Sequence, residues 1–187
     1  MDNILIILSY LAKKNDSFTL LELSSRTKIP YSSLYRTVNR IEDLVDIQVK
    51  GKSKLVKIKW SDVSKAYLVI ASYEEKKQLL ERHSLMKRID MQSKDITLIF
   101  GSYAKNLQTK NSDIDVMVIN KKGDKTANYS NLEMLFDIKI NPMFFSEKEF
   151  KAMLKDKGEN VGKQAMKDHV LLTGFNEFWS LVRDGFR

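Results

Sequence analysis

Cysteine is absent from the 187 residues, proline and histidine occur twice each, and glycine seven times. Without thiols there is neither a disulfide nor a thiolate metal site, which fits a cytoplasmic setting. Two histidines, His83 and His169, are too few for a histidine-rich metal centre. A metal held by this chain is therefore a hard cation on carboxylates. No apolar run approaches the ~20 residues that a membrane span requires. The apolar opening MDNILIILSYLAKK carries an acid at Asp2 and no small-residue cleavage site, so it reads as an amphipathic helix and not as a signal peptide. Repeats and low-complexity tracts are missing too. Basic charge is what the chain has in surplus: 32 lysines and arginines against 24 acids, a formal charge of +8. Such a surplus suits polyanionic partners such as nucleic acid, nucleotides or phosphates. A lysine-rich surface that promotes solubility accounts for it equally well.

The first sixty residues alternate helical and strand periodicity. Ile4, Leu5, Ile7, Leu8 and Leu11 recur at helical spacing, and Asn15-Asp16 ends that run. Leu20 to Lys28 predicts a second helix. After Ile29-Pro30, Leu34, Val38, Ile41 and Leu44 line one face of a third, with Ser32 or Ser33 as its N-cap. Ile47–Lys50 and Leu55–Trp60 then alternate apolar with polar around Gly51, the pattern of a hairpin. Helix, helix, turn, helix and basic hairpin together resemble a winged helix-turn-helix domain over residues 1–61. The resemblance implies that the third helix lies in a DNA groove. It offers Ser32, Ser33, Tyr35, Arg36, Asn39 and Arg40, with Lys50, Lys52 and Lys54 on the hairpin as phosphate contacts. A winged helix used for dimerisation, with a merely solvated charged face, is the alternative.

Residues 62–74 read as a helical connector and 75–187 as a second domain, making the chain α+β in two domains. In the second domain Ile96–Phe100 and Ile114–Asn120 are expected as buried strands, and Leu135–Met143 as a third strand containing Asp137. Ser146 and Glu149 form a capping box for a helix through Lys155. Val161–Val182 is expected to be mostly helical, interrupted at Gly174.

Between the first two strands lies GSYAKNLQTKNSDIDVMVI, Gly101–Ile119. Residues i and i+2 of a strand face the same way, so Asp113 and Asp115 project side by side. Two adjacent carboxylates repel unless a cation sits between them, and Mg²⁺ is bound through one or two carboxylates plus phosphate oxygens. Gly101 lets backbone approach a ligand closely, and Ser102 can donate to phosphate.

Gly101-Ser102-Tyr103-Ala104 followed by Ser112-Asp113-Ile114-Asp115 resembles the signature of the nucleotidyltransferase superfamily related to DNA polymerase beta, in particular its minimal members. The resemblance covers residues 75–187. It implies Mg²⁺-dependent transfer of a nucleoside monophosphate, AMP by family habit, from a nucleoside triphosphate to an acceptor. It also implies two Mg²⁺ ions held by Asp113, Asp115 and a third carboxylate on a later strand. Asp137 is the candidate for that third acid, with Glu133 the alternative. The plain reading of Asp137 is an edge-strand acid paired with Lys139. Gly101, Ser102, Lys105 and Ser112 are the implied nucleotide contacts. The family's second glycine is Asn106 here, a residue that tolerates left-handed backbone. Minimal members often pair with a helical protein in toxin–antitoxin modules, so a partner in trans and a homodimer are further expectations. The rival reading is a DNA-binding regulator whose second domain senses nucleotide or dimerises.

Overall fold

The computed structural model describes residues 1–51 and 53–186. It divides into two compact units, Met1–Ala71 and Ser72–Arg187. Among the described residues no helix is long and apolar enough to cross a membrane.

The first unit holds α1 (Asn3–Lys14), β1 (Phe18–Thr19), α2 (Leu20–Thr27), α3 (Tyr31–Arg40), β2 (Val45–Lys50) and β3 (Ser53–Ile58). Asp2 caps α1 by accepting from Ile4 N, and Asn15 ends it in the left-handed region at φ 46°. Thr19 and Glu22 make a capping box at α2, satisfying two of the amides a helix start leaves orphaned. The N-cap of α3 is Pro30, with no side-chain cap, so neither Ser32 nor Ser33 fills the expected role. Ser33 Oγ instead accepts from Asn3 Nδ2 at 3.0 Å. The sheet is antiparallel in the order β1-β3-β2. Leu8, Leu11, Leu23, Leu34 and Val56 are fully buried within the unit.

Helix α4 (Asp62–Arg82) covers the stretch expected as a helical connector and continues beyond it. The second unit continues with α5 (Ser84–Gln92), β4 (Ile96–Phe100), α6 (Gly101–Ala104), β5 (Ile114–Asn120), α7 (Ser130–Phe136) and β6 (Ile140–Ser146). It ends with α8 (Glu147–Lys155), α9 (Val161–Lys167), β7 (Val170–Thr173) and α10 (Phe175–Gly185). The sheet order is β6-β5-β4-β7, with β5 and β6 parallel and the other pairs antiparallel. Ile114, Val116 and Val118 turn one face of β5 into a core shared with Leu79, Met86, Ile89, Tyr129 and Leu132.

Two expectations fail here. The third strand begins at Ile140, because the chain before it is helical and turns at Asp137, a left-handed C-cap with φ 48°. Asp137 is exposed and lies outside the sheet. The segment 161–182 contains a strand, β7, whose Leu171 and Leu172 are fully buried.

The capping box at α8 is present: Ser146 Oγ accepts from Glu149 N at 3.2 Å, and Glu149 accepts from Ser146 N at 2.8 Å. The Ser146 N–H first, then the Ser146 hydroxyl, which donates to Glu149 Oε2 at 2.7 Å, hold the Glu149 carboxyl below the usual carboxylate range. Ser146→Ala is expected to cost about 1 kcal/mol, read as a lower denaturation midpoint with an unchanged slope.

Behind the sheet, α10 buries Phe178, Trp179 and Val182 completely. Trp179 Nε1 donates to Ser72 Oγ at 2.9 Å. His169 is buried beside it, its Nδ1 3.1 Å from Ala165 O, and its ring meets Phe178 and Trp179. Lys76 binds Asp90 at 2.7 Å and Leu172 O at 2.8 Å, tying α4 to α5 and β7.

Candidate active site

The site forms where β4 ends and β5 begins. Phe100 pairs with Asp115 across the two strands, so the next residue, Gly101, lies against the Asp115 carboxylate. A Cβ on Gly101 would stand 2.3 Å from Asp115 Oδ2, and the residue has φ +69°. Only glycine meets both demands. Gly101→Ala is expected to displace the Asp115 carboxylate, and with it to weaken any Mn²⁺ binding by the aspartate pair. A further ~1–2 kcal/mol is lost to backbone strain. Metal titration and a thermal melt separate the two effects.

Asp113 and Asp115 are both half-buried, while Ile114 and Val116 between and beyond them are buried on the opposite face. The pair therefore stands on one face, as the alternation requires. Ile114 N donates to Lys139 O at 2.9 Å, which starts the parallel pairing of β5 with β6. In that register Asp115 stands opposite Asn141. Asn141 Nδ2 donates to Asp113 Oδ2 at 3.2 Å, and Lys139 Nζ lies 3.3 Å from the same oxygen. The Asn141 amide first, then the Lys139 ammonium, hold the Asp113 carboxyl below its ordinary range.

Asp137 does not join this pair. It lies beside Glu133, Ile138 and Lys139 at an open rim. Among the described residues no three acids or histidines stand close enough to hold a metal together. Lys139, expected as a partner of Asp137, pairs with Asp113 instead. Glu133 is committed elsewhere: its Oε1 accepts from Ile140 N at 2.8 Å and fastens the start of β6. The side chain beside the pair is thus Asn141, which the sequence reading missed. Its only sequence signal is its place two residues after Lys139 in an apolar strand.

The remaining residues divide. Asn106 adopts the left-handed region at φ 56°, as a replacement for glycine must. Ser102 is half-buried in α6, and its carbonyl accepts from Leu107 N at 2.9 Å. Ser112 Oγ accepts from Thr109 N at 2.9 Å and lies 3.2 Å from Thr109 Oγ1, closing the loop before β5. Lys105 lies 3.9 Å from Asp168. Tyr103 packs on the core beneath the turn and meets the His83 ring edge-on at 5.5 Å. Burial lowers the His83 pKa, helped by Arg82, and raises that of Tyr103.

In the first unit Ser32, Tyr35, Arg36, Asn39 and Arg40 are exposed on α3, and Lys50 and Lys54 on the hairpin. Lys54 Nζ sits 5.6 Å from the centre of the Tyr35 ring. Arg36 Nε donates to Ser32 O at 3.3 Å. Lys52 lies outside the described residues.

Residues 86–176 match the family model described as polymerase beta, nucleotidyltransferase. The matched span runs from α5 to the start of α10 and includes Gly101, the aspartate pair and Asn141. This supports the nucleotidyltransferase superfamily for the second unit. No curated protein and no solved structure matches the chain.

Proposed function

We propose that the second unit binds a nucleoside triphosphate with a divalent cation and transfers its nucleoside monophosphate to an acceptor. The observation that carries this reading is the family match over a span whose aspartate pair faces Gly101. In the transfer, an acceptor oxygen bonds to the α-phosphorus. The bond from that phosphorus to the bridging oxygen breaks and pyrophosphate leaves. For a hydroxyl acceptor the proton passes to solvent.

Asp113 and Asp115 fit one hard cation: two half-buried carboxylates on one face. The cation would neutralise phosphate charge and orient the leaving group. Gly101 and Ser102 would bring backbone close to the phosphates, and Lys105 would face them after leaving Asp168. AMP as the transferred group and a partner protein as acceptor, as in toxin–antitoxin pairs, rest on the resemblance alone.

The first unit is proposed to be a winged helix-turn-helix that holds nucleic acid. Its support is the exposed face of α3 with Arg36 and Arg40, flanked by Lys50 and Lys54. Arg36→Ala/Arg40→Ala is expected to weaken duplex binding and to lower the salt slope by roughly one per lost phosphate contact. Fluorescence anisotropy at several salt concentrations measures both. A second reading, a regulator that senses nucleotide without rapid transfer, is favoured by Asn141 beside the aspartate pair.

The test is transfer of label from α-³²P nucleotides, one base at a time, with cellular protein and RNA as acceptors. Transfer that EDTA abolishes supports the enzyme and identifies base and acceptor. Mg²⁺-dependent nucleotide retention without transfer supports the sensor. Neither retention nor transfer overturns both.

A further inference from the structure

We infer that Asn141 restricts this site to a single divalent cation and leaves it without a side-chain base for the acceptor. The inference rests on the nucleotide-binding reading of the second unit. Its starting point is the parallel register, which sets Asn141 opposite Asp115 while its amide nitrogen lies 3.2 Å from Asp113.

Charge decides how many cations the site can hold. Two divalent ions about 3.5–4 Å apart, the spacing of two-metal centres, repel strongly and need anionic ligands between and around them. Here the described residues set two carboxylates side by side, Asp113 and Asp115, and Asp113 Oδ2 already faces a lysine ammonium at 3.3 Å. The third neighbour is a neutral amide that donates to the carboxylate. An amide adds no negative charge and accepts no proton near neutral pH. Asp137 and Glu133 do not make up the deficit: the first is an exposed helix cap and the second is bonded to Ile140 N. One cation, brought in with the triphosphate, matches the two acids.

A general base contributes about 10²–10⁴-fold to a proton-transfer step. With Asp113 and Asp115 both engaged by the cation, neither the lysine nor the amide beside Asp113 serves as a base, so the acceptor loses its proton to water. The site as built therefore transfers more slowly than one that has a base. Asn141→Asp supplies the missing charge and the missing base together.

The experiment counts Mn²⁺ by electron paramagnetic resonance on the full chain, after dialysis against α,β-methylene-ATP, which cannot be cleaved at the reacting bond. Wild type is expected to retain one Mn²⁺ per chain, N141D two, and D137N one. With cleavable ATP and water as the acceptor, which yields AMP, N141D is expected to release pyrophosphate at least tenfold faster than wild type. Two ions on wild type, one on N141D, or an ion lost in D137N would each overturn the inference. If N141D does not fold, the wild-type count decides alone. Failure of every protein to retain nucleotide would overturn the functional reading, whereas retained nucleotide with a wrong ion count overturns only this inference.

Discussion

Asp115→Asn is expected to abolish Mg²⁺-dependent nucleotide retention and to reduce any transfer by roughly a thousand-fold. The substitution is isosteric, so the packing against Gly101 survives. It removes the negative charge of one member of the Asp113–Asp115 pair, the pair proposed to hold the cation. Asp113 cannot compensate, because its Oδ2 already faces Asn141 Nδ2 and Lys139 Nζ. Losing about 4 kcal/mol of charge stabilisation in the transition state corresponds to about three decades in rate. The measurement pairs equilibrium dialysis of Mg²⁺ and nucleotide with label transfer, and a thermal melt confirms the fold. A variant that keeps wild-type retention would show that Asp115 is a structural acid filling the space beside Gly101.

Trp179→Ala is expected to destabilise the second unit by about 3–5 kcal/mol, the usual cost of deleting a buried large aromatic. Trp179 is fully buried between Phe178 and His169, and its Nε1 is bonded to Ser72. Alanine leaves a cavity and removes the bond to Ser72, a residue that is 2 % exposed. Against a total stability of 5–15 kcal/mol for typical proteins, such a loss is severe. It should appear as a fall of about 15 °C in melting temperature. Trp179→Phe keeps most of the volume and loses the bond, so a smaller fall isolates the cavity contribution.

The placement of the aspartate pair was legible because it is local. A two-residue period puts Asp113 and Asp115 on one side whatever the rest of the chain does, and Gly101 follows its strand directly. The capping box at Ser146 was legible for the same reason. The place of Asp137 was not. Met134-Leu135-Phe136 before it and Ile138 and Ile140 after it resemble one apolar strand, yet Met134 and Leu135 are 84 % and 72 % exposed on a short helix. Asp137 turns the chain between two elements, and the strand starts three residues later. The neighbour of Asp115 follows from a parallel register between segments some 26 residues apart, and no local period encodes it. Strand β7 was hidden because Val170–Thr173 is short and flanked by two helices.

Asn141 is followed by Pro142, and this order bears on how the protein ages. Asparagine converts spontaneously to aspartate when the next backbone nitrogen attacks the side-chain amide and closes a ring. Proline has no N–H with which to complete that cyclisation. The amide beside Asp113 is therefore shielded from drift to an acid over the molecule's lifetime. The charge beside Asp113 is set by the codon, and a batch of protein should not change its cation count in storage.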